Sequence, residues 1–340
     1  MTTRDGLHVS KLLRAARRRI LTPNVSATRM DVRGFHVKDA ASKNQLEMIG
    51  KTFLDGYAYV VEARSSAEAE ERLETIDERY RGFAYEGAGM GAVMLDSLAG
   101  STKRLDGLLA GQGQHHIYMV YVGIGWAMAR LPRFLWPDVT RTDPLLRWLI
   151  LDGYGFHQAY FRTDAYVRDP DRVHPFTWAG GPADYSLRAV DQGIGRALWF
   201  VGGTDPDVVT GLIRSYAEHR HADMYAGAGL AATYAGSVGE DELRRFAEQS
   251  GPHRDQLAQG AAFAAEAREK AGLTIDHTHL AARVLCGRTP AEAARICTDL
   301  MPGPDARATG PSGEPAYETW RQQIAGRLTA LPLAQKDALS

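Results

Sequence analysis

Cysteine is nearly missing from this chain: only Cys286 and Cys297 occur in 340 residues. Two cysteines cannot build a disulfide framework in a chain this long, and they read as small core residues. Charge imbalance is missing too, since 40 Lys and Arg face 41 Asp and Glu for a net charge of -1. That balance argues against a broad nucleic-acid footprint. Long apolar runs are absent: Ile117 to Leu131 is broken by glycines and Arg130, and falls short of the roughly 18 residues a membrane helix needs. Alternating strand patterns hardly occur. Also absent are Gly-x-Ser-x-Gly, a Walker motif, a nucleophilic-cysteine signature and a paired-aspartate box for diphosphates between Asp143 and Asp152, so no motif names a reaction. With no leader sequence, the expected location is the cytoplasm.

Glycine and apolar residues, by contrast, are abundant. Two glycines two apart, followed by small or apolar residues, recur at Gly87/Gly89, Gly123/Gly125, Gly153/Gly155, Gly193/Gly195 and Gly227/Gly229, with a degenerate copy at Gly260/Ala262. Successive first glycines lie 36, 30, 40, 34 and 33 residues apart. A period near 35 residues is that of a helical hairpin, which must stack on neighbours to bury its apolar face. Glycine inside a helix costs about 1 kcal/mol relative to alanine. Close approach of two helix backbones repays that cost. A phosphate cradle would need a preceding strand and a third glycine, and neither is present.

The predicted class is therefore all-α, an array of stacked helical hairpins resembling a tetratricopeptide-like solenoid or other α/α array. Four segments follow: a basic N-terminal segment at 1–40, a helical-repeat domain at 41–302, a Pro/Gly linker at 303–316, and a last helix with its tail at 317–340. Within the first segment, the basic stretch from Lys11 to Arg19 reads as a solvated helix face. Asn44 to Ala63 has helical spacing. Ser65-Ser66 with Glu68, Glu70 and Glu71 starts a helix expected to reach Tyr80. Further helices are expected from about Asp207 to Tyr216, after Gly239, at Thr289-Pro290 and from about Tyr317 to Leu331. Arg168 to Pro182 reads as a loop.

Several blocks carry a resemblance: Arg81-Gly-Phe-Ala-Tyr-Glu-Gly-Ala-Gly-Met, Leu146 to His157, Asp191 to Phe200 and Gly251 to Phe263. Together, over roughly residues 40–330, they resemble the bacterial DUF1702 family, a family of unknown function. The resemblance implies a role in or near enediyne polyketide assembly. It carries over no catalytic residue.

The residue before each first glycine is Glu86, Val122, Asp152, Gln192, Ala226 and Gln259 in turn. If the units superpose, these positions form one ridge, and four of them are polar within apolar helices. Such groups need partners or a purpose. One reading is a ladder of hydrogen bonds between adjacent helices; the other is the lining of a ligand cavity. For the second, Glu86, Asp152, His157 and Gln192 are the candidates for acid/base chemistry. Gln259, Tyr85, Trp126, Tyr160 and Trp199 are the candidates for ligand binding, with Tyr154, Phe156 and Phe200 nearby. His157, Tyr160 and Asp164 are spaced to share a helix face, and Asp191 with Arg196 reads as an ion pair. His219-x-His-x-Asp223 and Asp276-His-Thr-His279 are weak metal patterns, so neither metal nor cofactor is expected.

Two functions follow as expectations. The first is an accessory protein of enediyne biosynthesis that binds, and can act on, a hydrophobic polyene-derived intermediate. The alternative is a non-catalytic scaffold for a partner protein such as the polyketide synthase. Neither requires nucleic acid or membrane insertion, and a homodimer is compatible with both.

Overall fold

The computed structural model describes residues 14, 18, 19, 22–169, 174–310 and 313–330. The basic stretch from Lys11 to Arg19 falls mostly outside them, as does the tail after Ala330. Of its described residues, Arg18 pairs with Glu62 at 3.0 Å.

Nine helices carry the architecture: α1 (Ala40–Glu62), α2 (Glu78–Ala99), α3 (Ile117–Arg130), α4 (Trp148–Phe161), α5 (Ala183–Val201), α6 (His221–Tyr234), α7 (Arg254–Ala271), α8 (Pro290–Asp299) and α9 (Ala316–Ala330). No β-strand occurs among the described residues, which hold only two isolated bridges. Local chemistry sets the helix starts: Asp39 and Asp77 cap α1 and α2 with their side chains, and Thr289 with Glu292 forms a capping box at α8. Short helices Ser66–Leu73, Lys103–Ala110, Pro206–Arg214 and Glu240–Gln249 alternate with the long ones. The helix starting at Ser66 ends at Leu73 rather than reaching Tyr80. Thr75 Oγ1 turns back to the Arg72 carbonyl, and Asp77 opens the next helix. Between α3 and α4 there are 3₁₀ turns instead of a second α-helix.

Each consecutive pair of long helices crosses through glycine in one fixed register. The first glycine of a helix lies against the carbonyl of the ridge residue of the preceding helix: Gly123 on Glu86, Gly153 on Val122, Gly193 on Asp152, Gly227 on Gln192 and Gly260 on Ala226. The second glycine faces forward, onto the carbonyl three residues before the next helix's first glycine: Gly89 on Val120, Gly125 on Ile150, Gly155 on Val190, Gly195 on Met224 and Gly229 on Leu257. A Cβ at most of these positions would overlap the facing backbone. The same register holds for α1, where Gly56 faces Ala84 and Phe53 receives Gly87. The repeat thus begins one helix earlier than the paired glycines indicate, because Leu54 fills the first glycine position.

Helices several places apart also meet, and this closes the array around an interior. Phe83 of α2 packs edge-on to Tyr234 of α6 at 5.1 Å between ring centroids. Arg268 of α7 donates to the carbonyls of Glu78, Arg79 and Tyr234. Tyr118 of α3 donates to Glu266 of α7 at 3.1 Å. The helix after the linker, α9, lies against this body: Trp320 Nε1 donates to the Cys297 carbonyl at 2.8 Å, and Phe263 packs on Trp320 at 4.7 Å. Among the described residues no helix is long and apolar enough to cross a membrane.

Candidate functional site

The ridge faces the interior, and its polar members divide into two groups. Gln192 and Gln259 are taken up by α9. Gln192 Nε2 donates to Tyr317 Oη at 3.2 Å, and Gln259 Oε1 accepts from Arg321 Nε at 3.2 Å. Glu86 and Asp152 instead share one cation. Arg196, one helical turn beyond Gln192 on α5, donates through Nη1 to Asp152 and holds Nη2 at 3.6 Å from Glu86. All three side chains are buried. Adjacent-helix bonding of the ladder type describes Asp152 with Arg196. Glu86 reaches across from α2, three helices away.

One cation for two buried carboxylates fixes the electrostatics. Burial pushes the Glu86 carboxyl up to about 7, with Arg196 opposing and Asp152 adding to the rise. Burial also raises Asp152, against the pull of Arg196. Burial works against charge on Arg196, but Asp152 and then Glu86 outweigh it and hold the guanidinium charged. Below about pH 7 Glu86 therefore holds its proton, while Asp152 keeps the hydrogen bond to Arg196, since an unpaired buried carboxylate is expensive. Glu86 is a proton-bearing acid inside an apolar interior.

Two chambers meet at this triad. The first, a cavity of about 40 Å³, is lined by Tyr118, Glu266, Trp320, Phe83, Phe200 and Tyr234 as well as by Asp152 and Arg196. The second, about 50 Å³, is lined by Ile49, Phe53, Met90, Phe156 and Tyr160 together with Glu86, Trp126, His157 and Arg196. It opens beside Pro23 and the exposed Arg130. Phe83, Arg196 and Phe200 belong to both walls.

The second chamber is lined by residues whose buried polar atoms make no hydrogen bond. Glu86 Oε1, Trp126 Nε1 and His157 Nδ1 are all in this position, and their residues are 3%, 7% and 7% exposed. Glu86 Oε1 has the Arg196 guanidinium at 3.6 Å as its ion-pair partner, and the Trp126 N–H is near enough to favour the Glu86 carboxylate weakly but falls short of a hydrogen bond. Trp126 and His157 meet edge to face at 5.5 Å. Burial drives His157 down to about 3, so its imidazole is neutral. Buried polar atoms are nearly always paired. Three such atoms on residues lining one apolar space mark a place suited to something polar.

Other expected groupings are not assembled. α4 ends at Phe161, which leaves Asp164 exposed and paired with Arg168 at 2.7 Å. Tyr160 donates instead to the Thr28 carbonyl at 3.3 Å, so His157, Tyr160 and Asp164 form no triad. Asp191 does not pair with Arg196: five residues along a helix turn the two onto different faces. It holds Arg220 at 3.0 and 2.6 Å. Tyr85 lies outside both chambers, donating to Glu74 and stacking on His116 at 4.0 Å. Trp199 is also elsewhere, donating to the Gly236 carbonyl and packing on Phe246.

Asp223, which the His-x-His-x-Asp pattern offered to a metal, is claimed by Arg188 and Arg321. Glu318 completes that cluster, with burial outweighed by Arg321 and Arg188 so that its carboxyl falls to about 2. Among the described residues no group of three or more His, Cys, Asp or Glu could hold a metal. Sequence reasoning missed Arg196 as the hub. Its one signal was a cation placed one turn after a ridge position in a helix otherwise apolar on that face.

In comparison with known proteins, the family model described as a protein of unknown function (DUF1702) matches residues 12–328. No curated protein and no solved structure matches the chain.

Proposed function

The chain belongs to the DUF1702 family, and we propose that it binds an elongated apolar small molecule inside the helical array, with Glu86 holding the proton available to that molecule. One observation carries this reading. Glu86 Oε1, Trp126 Nε1 and His157 Nδ1 are buried without a hydrogen bond on residues that line one apolar chamber, which is how ligand sites differ from ordinary core. Aromatic walls suit a conjugated chain. We place this role in enediyne polyketide assembly, in the cytoplasm, as the accessory step that the sequence resemblance implies. An interior site supports a ligand-binding protein over a scaffold, whose concave face would be an open groove with charged and aromatic residues on its inner surface.

Incubating the purified protein with a linear conjugated polyene, followed by native mass spectrometry and product analysis, tests the reading. One bound molecule per chain is expected, with any conversion lost in Glu86→Gln. Absence of a bound molecule, together with a stable complex with a polyketide synthase, would overturn it in favour of the scaffold.

A further inference from the structure

We infer that the second chamber recognises a carbonyl oxygen, so that the ligand is a conjugated ketone, aldehyde or ester rather than a pure hydrocarbon. The inference rests on the proposed function above and deepens it by specifying the polar end of the ligand.

The reasoning is one of donor and acceptor inventory. An indole Nε1–H can only donate. A protonated carboxyl donates through its O–H, and Glu86 lines the same chamber with Oε1 turned to the Arg196 Nη2 at 3.6 Å, which leaves the proton to the other oxygen. The neutral imidazole of His157 offers Nδ1 as donor or acceptor, as its tautomer dictates. At least two donors therefore face one space without an acceptor from the protein. The other charges there are Arg196 and, at the mouth, Arg130; both are donors, and Asp152 takes the Arg196 Nη1. An ammonium or amide N–H would bring a further donor beside these. A carboxylate at the inner end would compete with Glu86 and Asp152 for Arg196, because Arg130 stands exposed at the mouth. A carbonyl oxygen has two lone pairs, carries no charge, and sits at the end of an apolar chain without further desolvation. Two donors on one carbonyl would also draw electron density along a conjugated chain toward the oxygen.

An ordered water could satisfy the same atoms, and the test separates the two cases. The probes are a linear conjugated tetraene ending in a methyl ketone and the tetraene hydrocarbon of equal length, titrated by tryptophan fluorescence, with the ketone's absorption band recorded on binding. The ketone is expected to bind about tenfold more tightly than the hydrocarbon, the scale of one or two buried hydrogen bonds, and its band to shift to the red. Trp126→Phe keeps the ring and removes the donor, and Glu86→Leu removes the acid. Each should abolish most of the preference, and a urea unfolding midpoint measured on each variant shows that it is folded. Glu86→Gln still donates and should retain it. Equal binding of the two probes with no red shift overturns the carbonyl inference but leaves the apolar site standing, as does a preference that survives both donor deletions. Failure of both probes to bind overturns the proposed function itself.

Discussion

Gly193 lies against the carbonyl oxygen of Asp152, the residue whose carboxylate holds Arg196. One residue thus provides backbone to the helix crossing and side chain to the site, so packing and chemistry are set at the same point. Gly193→Ala would force α4 and α5 apart. A loss of about 2–3 kcal/mol or more is expected, at the upper end for overpacking. Gly211 and Gly326 sit in helices with no neighbour within 4 Å of an added Cβ, so alanine there should stabilise by about 0.5–1 kcal/mol. Urea unfolding midpoints separate the two classes, and a tolerant Gly193→Ala would contradict the close-crossing account.

Arg196→Met should be the most damaging of the interior charge changes. It leaves Glu86 and Asp152 buried without a cation, a situation worth about 3–5 kcal/mol. Replacing all three, as Glu86→Gln, Asp152→Asn and Arg196→Met, should restore most of the lost stability because no uncompensated charge remains. Chemical denaturation of the single and triple variants measures this. Equal losses in the two would show that Arg196 matters for its shape and not its charge.

The pH dependence follows from Glu86. Its folded pKa, about 7, lies above the ordinary carboxyl value of 4.5, so between these limits the folded chain binds more protons than the unfolded one. Its contribution is complete below the unfolded value and is lost as pH rises through 7. Asp191, pushed up to about 6 mainly by burial, acts in the same direction. His116 and His157, both held down to about 3 by burial, act in the opposite direction below their ordinary value of 6.5, so the expected signature is a difference: between pH 5 and 8 the wild-type thermal midpoint falls relative to that of Glu86→Gln. Parallel curves would place the Glu86 pKa near its ordinary value.

Much of this was visible in the sequence. The helix starts at Ser65, Pro206, Gly239 and Thr289 followed from capping residues and proline, whose effects are local. The glycines read correctly as packing residues because no strand precedes them. The ridge emerged from superposing the copies, and its members do face the interior. Partner choice was not visible. Arg196 stood near Asp191 in sequence but on another face of α5, and its true partners lie on α4 and α2. Trp126 and His157 come from different helices, and the successive crossings of α2, α3 and α4 bring them to the Glu86 chamber. The first unit escaped notice because Leu54 replaces one glycine and leaves Gly56 alone.

Trp320→Ala should cost about 3–5 kcal/mol, as for other large buried aromatics. Trp320 is 2% exposed, anchors α9 through the Cys297 carbonyl and forms part of the first chamber. Limited proteolysis should then cut first around residues 303–316 and release α9. Proteolytic resistance equal to the wild type would mean that α9 is held chiefly by Arg321 and Tyr317.

The most direct test of an interior ligand site is a crystal structure of the protein with a linear conjugated polyene brominated at one end. An anomalous bromine peak is expected within the chambers, with the chain passing between Glu86 and Tyr160 in contact with Trp126 and His157. A peak confined to the outer surface, or none when the compound is present at saturating concentration, would contradict the account.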